Sequence, residues 1–210
     1  MQFLRNLLDS KAPLFEKGGK LEKYHAVYEM HDTILFTPGE VTKNDSAVRD
    51  GLDLKRMMFT VVIALLPCFY MAMYNTGLQA HLAIEAGGTA LDNWQTALYT
   101  MLGLGFDSKN ILACIAHGAI YFLPVYIMGL AIGGIWEVIF AVVRGHEVTE
   151  GFLVTSALLP LIVPATIPLW QIALGVSFGV VIGKEVFGGV GMNVLNPALC
   201  ARAFLFFAYP

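Results

Sequence analysis

From Met57 to Ile84 the chain carries no charged side chain, and about 20 such residues are enough to cross the hydrocarbon core of a bilayer as a helix. Inside lipid the backbone must satisfy its own hydrogen bonds, so a run like this constrains the fold more than any other feature. Two more uncharged runs follow, Ile111 to Trp136 and Gly151 to Gly183. Apolar residues make up 57% of the sequence and charged residues 14%, against roughly 45–50% and 25% in soluble domains. An ordinary water-soluble enzyme is thereby excluded.

The expected fold is all-α: a polytopic membrane helix bundle with Pro- and Gly-interrupted helices, preceded by a charged N-terminal region. The boundary falls at Lys55-Arg56, giving a region 1–56 and a membrane domain 57–210. Nine of the 13 Lys and Arg lie before that boundary, which places the N-terminal region on the cytoplasmic side by the positive-inside rule. Its first residues set Phe3, Leu4, Leu7 and Leu8 at helical spacing, a pattern suited to a membrane surface. They do not form a cleavable signal, because the first long apolar run begins only at Met57.

Met57 to Ile84 is the first expected span, with Pro67 as a kink. Glu85, Asp92, Asp107 and Lys109 mark the far side, and Trp94 to Phe106 is open between an interfacial and a re-entrant segment. Ile111 to Trp136, extended to Arg144, brings the chain back. Gly151 to Gly183 is interrupted by Pro160, Pro164 and Pro168; two broken half-spans and a kinked helical hairpin fit it equally. Broken spans point towards substrate or ion sites in membrane proteins. The run from Ala203 to Pro210 is too short to cross, so the sequence reads as about four spans plus the start of another, a piece of something longer.

Several chemistries can be set aside. G-V-V-I-G-K-E from Gly179 lacks a spacer and the Ser/Thr of a P-loop, and Gly103-x-Gly105 lacks the rest of a dinucleotide fingerprint. The five histidines show no metal-ligand spacing, so no metal is expected. With a net charge of −3 and no basic block, neither is nucleic acid. Cys68, Cys114 and Cys200 form no C-x-x-C pair and read as packed or lipid-facing thiols.

Gly129, Gly133 and Glu137 recur every fourth residue, so on a helix they form one stripe, a groove leading to a carboxylate. It suits a flat head group or a partner helix. Glu137 would lie about 10 Å inside a boundary at Arg144, where an ionised acid costs up to roughly 2.5–3.5 kcal/mol and calls for a partner or a wet cavity. The alternative is an interfacial acid beside a Trp136 anchor, with the glycines only packing helices. Lys184 and Glu185, as neighbours in sequence, do not face each other on a helix and read as interface markers. Asn193 and Asn196, after Gly188, Gly189 and Gly191, either present amides to a polar ring or cap the next helix. Phe204, Phe206 and Phe207 either line an apolar ring or face lipid.

These stretches together resemble one family. F-E-K-G-G-K-L-E-K-Y at Phe15, L-D-L-K-R-M at Leu52, A-I-G-G-I-W-E-V at Ala131, R-G-H-E-V-T-E-G-F-L-V-T-S at Arg144 and G-K-E-V-F-G-G-V-G-M-N-V-L-N-P-A-L at Gly183 are similar to the B subunit of the sodium-translocating NADH:quinone reductase of bacterial membranes. The D subunit of the Rnf electron-transport complex is related but less similar in the N-terminal region. The resemblance implies a multi-pass subunit of the inner membrane with a cytoplasmic N-terminus, inactive alone. With the other subunits it would pass electrons from NADH through flavins to ubiquinone while exporting sodium ions. It places quinone at Gly133, Gly134 and Glu137 and riboflavin at Asn193 and Asn196; Phe204 and Phe206, as aromatic side chains able to line a ring, are added to the expected quinone site. The family's covalent FMN sits on a Thr of an S-G-A-T type motif. That motif is not among these residues and is expected beyond Pro210. An Rnf-type subunit, a non-redox channel or transporter, and a passive anchor are the competing readings.

Overall fold

The computed structural model describes residues 2–16, 19–25, 27–28, 54–145, 148–149 and 151–209, and among them it is all helical, with no strand. The helices are α1 (Gln2–Phe15), α2 (Leu54–Glu85), α3 (Trp94–Met101), α4 (Ile111–Arg144), α5 (Gly151–Ile162), α6 (Leu169–Val181) and α7 (Pro197–Ala208), with 3-10 turns at Glu22–Tyr24 and Glu185–Phe187. Met57–Glu85, Ile111–Arg144 and Leu169–Phe187 are long and apolar enough to cross a membrane, with mean hydropathies of 1.9, 2.0 and 1.3. The protein is a membrane helix bundle.

Side-chain caps set several helix starts. Asn93 Oδ1 accepts from the Thr96 N–H at 2.9 Å and opens α3, and Asn110 Oδ1 accepts from the Ala113 N–H at 3.2 Å and opens α4. Asn196 Oδ1 accepts from the N–H groups of Ala198 (2.9 Å) and Leu199 (3.3 Å), with Pro197 in the first turn of α7. Replacing Asn196 by Ala is expected to cost about 1 kcal/mol, readable as a lowered thermal midpoint of the detergent-solubilised protein.

Pro67 and Pro124 lie within continuous helices, whereas Pro164 and Pro168 occupy the turn between α5 and α6. The third uncharged run is thus two helices, the 12-residue α5, shorter than a span, and α6, which with the turn after it is long enough to cross. Trp94 to Phe106 is too short a helix to cross. It forms the 8-residue α3 against α4, burying Thr96 and Tyr99.

α2 packs along α4 at two glycines. A Cβ on Gly118 would sit 1.7 Å from the Met73 carbonyl oxygen, and one on Gly77 would sit 1.9 Å from that of Cys114. Only a missing side chain permits this approach. The largest core cluster joins α4, α5, α6 and α7 through Val125, Leu159, Ile172, Val176, Val180, Ala201 and Leu205. A second joins α2, α4 and α5 through Phe69, Phe122 and Ala157.

In the N-terminal region α1 carries Phe3, Leu4 and Leu7 exposed on one stripe. The boundary expected at Lys55-Arg56 lies in the first turn of α2. Residues 29–53, and the side chains of Lys55 and Arg56, are outside the described residues.

Candidate functional site: a buried chain of charges

Glu137 lies on α4 two turns before Arg144 and is 1% exposed. Its Oε2 accepts from the Lys184 ammonium and its Oε1 from the Thr149 hydroxyl. Lys184 Nζ is also 3.0 Å from Glu185 Oε1. Arg144 closes the chain: Nη1 donates to Glu185 Oε2 at 3.1 Å and Nη2 to the Glu185 carbonyl at 2.5 Å. Signs alternate along Arg144, Glu185, Lys184 and Glu137, so the cluster is neutral although three members are almost fully buried.

Local structure explains how sequence neighbours come to share this site. Gly145, with φ of 70°, ends α4 and leaves Arg144 in its last turn, where a cation meets the negative end of the helix dipole. α6 ends before Lys184, which leaves helical geometry at φ −130°, ψ −60°. The chain then tightens into the 3-10 turn at Glu185. Reading Lys184 and Glu185 as interface markers is therefore corrected: they are 2% and 1% exposed. Helical spacing does not govern which way they face, because the pair is not on an α-helix. Buried ions need partners, since each alone costs several kcal/mol, and the partner Glu137 called for is Lys184.

The glycine stripe is filled by α5. An added Cβ at Gly129 would be 3.6 Å from Ser156 Cβ, at Gly133 3.4 Å from Ser156 Oγ, and at Gly134 3.5 Å from the Phe152 ring. A helix of the same chain thus packs on Gly129 and Gly133, while Gly134, beside the stripe, stays half-buried. Trp136 Nε1 donates to Ser177 Oγ at 2.9 Å, tying α4 to α6. Phe204 stacks on Phe178 with centroids 4.7 Å apart and packs on the cluster that includes Ile132 and Trp136. Phe206, 70% exposed, points away from that cluster's interior.

Asn193 and Asn196 follow Gly188 and Gly189, both at positive φ. Asn193 Nδ2 donates to the Leu195 carbonyl at 2.8 Å, while Asn196 spends its oxygen on the α7 cap. Among the described residues one acceptor on Asn193 and one amino group on Asn196 are left over. Among the described residues no group of His, Cys, Asp and Glu is arranged to hold a metal.

Residues 41–210, the charge chain and both glycine segments included, match the model of the NQR2, RnfD, RnfE family. The chain belongs to this family. Its relatives include proteins named as the B subunit of Na(+)-translocating NADH-quinone reductase from Chromohalobacter salexigens, Pseudoalteromonas atlantica and Pseudomonas aeruginosa. They are 57%, 56% and 54% identical, over 99% of this chain and 50%, 52% and 52% of their own lengths. This family member thus spans about half the length of the curated relatives it matches.

Proposed function

We propose that the protein serves as the B subunit of a sodium-translocating NADH:quinone reductase in a bacterial inner membrane, passing electrons through flavins to ubiquinone while sodium ions are exported. What carries this reading is the identity of 54–57% over 99% of the chain to proteins of that name. The other subunits are its partners, and the first 56 residues form a cytoplasmic region. The test is NADH-driven sodium uptake into inverted membrane vesicles: deleting the gene should abolish it and the intact gene should restore it. Unchanged uptake in the deletion strain refutes the reading.

The quinone site is proposed at Gly134 and Glu137, with Gly133 and Phe204 beside them; Phe206, expected there too, lies with Pro164 and Thr166 at the α5–α6 turn and is left out of the site. Glu137 has both oxygens engaged, by Lys184 and Thr149, so it acts as a fixed, neutralised dipole beside the ring and not as a free base. Gly134 is the half-buried glycine of the pair, and it is where a ring would approach. Gly134→Ala should fold normally, because its Cβ meets Phe152 at an ordinary 3.5 Å. It should raise the KM for quinone roughly tenfold, equivalent to about 1.4 kcal/mol. A wild-type quinone titration removes the assignment.

Riboflavin is proposed at Asn193 and Asn196, whose remaining acceptor and amino group fit the mixed edge of a flavin ring. The flavins, FMN included, would supply the one-electron chemistry, and the protein their binding and orientation.

A further inference from the structure

Arg202 stands on the exposed side of α7, and among the described residues no ion pair or hydrogen bond reaches it. Its depth follows from how α7 lies on α6. A Cβ on Gly179 would sit 2.8 Å from Ala201 Cβ, and one on Gly175 2.8 Å from Leu205 Cδ1, so Arg202 is level with the residues between those glycines. They lie midway along Leu169–Phe187, a segment long enough to cross a membrane. Either end of it is about 14 Å away at helical rise, farther than an arginine side chain can snorkel.

Charges at such a depth are costly and are found paired or in a wet cavity. The other deep ions obey this, since Glu137, Lys184 and Glu185 hold one another and Arg144. Arg202 instead opens on a cleft of about 400 Å³, lined also by Ile162, Pro164, Thr166, Gln171 and Tyr209 but by no Asp or Glu. Beside it α7 exposes Leu199, Ala203 and Phe206. With Arg202 they stand at i, i+3, i+4 and i+7, the stripe that one helix presents to another. Lipid tails would suit the apolar members of this stripe and leave the guanidinium without a counter-charge.

We propose that Arg202 receives a carboxylate carried on an apolar membrane helix of the same polypeptide, from the part of the relatives' length that residues 1–210 do not span. Those relatives are about twice as long as this chain, and a helix tethered in the same polypeptide meets α7 at a high effective concentration. A carboxylate fits the planar fork of arginine, and lipid phosphates lie at the bilayer surface, away from the middle of a span. The inference rests on membership of the family and not on the sodium or quinone reading.

The test uses the full-length gene product in its native membrane. p-Benzoylphenylalanine in place of Phe206, one turn from Arg202, is irradiated and its adduct mapped by mass spectrometry. The expected adduct is an apolar peptide of the same polypeptide, outside residues 1–210 and containing Asp or Glu. Adducts confined to lipid, to another protein or to residues 1–210 overturn the proposal. In detergent, Arg202→Leu should lower the thermal midpoint by about 5 °C or more, because it strands the acid, and Arg202→Lys should keep at least half of that. An arginine facing lipid or water gives the opposite sign, so an unchanged or raised midpoint in Arg202→Leu also overturns it. Where Arg202→Leu does not fold, charge exchange decides. Arg202→Glu combined with Arg in place of the mapped acid should regain the midpoint lost in Arg202→Glu, and a double variant no better than that single one refutes the pairing.

Discussion

Lys184→Met is expected to destabilise the protein by about 3–5 kcal/mol, the usual consequence of removing one partner from a buried ion pair. The substitution leaves Glu137 with only the Thr149 hydroxyl, whereas Glu185 keeps Arg144. The damage should therefore be specific to Glu137. Adding Glu137→Gln restores neutrality, and the double variant should regain most of the lost stability, because two neutral groups of similar shape replace the pair. Thermal unfolding in detergent of the wild type, both single variants and the double variant gives the coupling directly. Simple additivity would mean that the pair does not act as a unit. A loss under 1 kcal/mol in Lys184→Met would mean that water reaches the site, since a solvated pair is worth only about 0–1 kcal/mol.

Gly118→Ala should be the most damaging small substitution in the membrane region. The new Cβ would lie 1.7 Å from a backbone oxygen of α2, which no side-chain rotation relieves, so the two helices must separate along their crossing. Overpacking usually costs about 1–3 kcal/mol, and a clash with backbone belongs at or above the top of that range. Gly129→Ala is the control: its Cβ would meet Ser156 at an ordinary 3.6 Å. A Gly118→Ala protein with the thermal midpoint of the wild type would contradict the close crossing.

The spans are legible in the sequence because charge is scarce and its placement decides where helices leave the bilayer; Arg144 and Glu85 do end their helices. Asn196 and Asn110 are likewise readable as caps, since an Asn before an apolar run has a local reason to be there. The partner of Glu137 is not readable, because Lys184 is 47 residues away and reaches it only through a departure from helical geometry after α6. Nor does anything separate Gly77 and Gly118 from other glycines, as close approach depends on what the second helix presents.

The four linked charges also determine how the bundle responds to its medium. Arg5 and Asp9 on α1 form a pair with side chains 44% and 54% exposed, and dissolved ions weaken such contacts within a Debye length of about 8 Å. Lys184 and Glu137, at 3% and 2%, are out of their reach. The link between Glu137 of α4 and Lys184 beyond α6 is thus a fastening made of charge that external salt does not loosen, while Arg144, with its side chain 32% exposed, is the end of the chain that salt can reach.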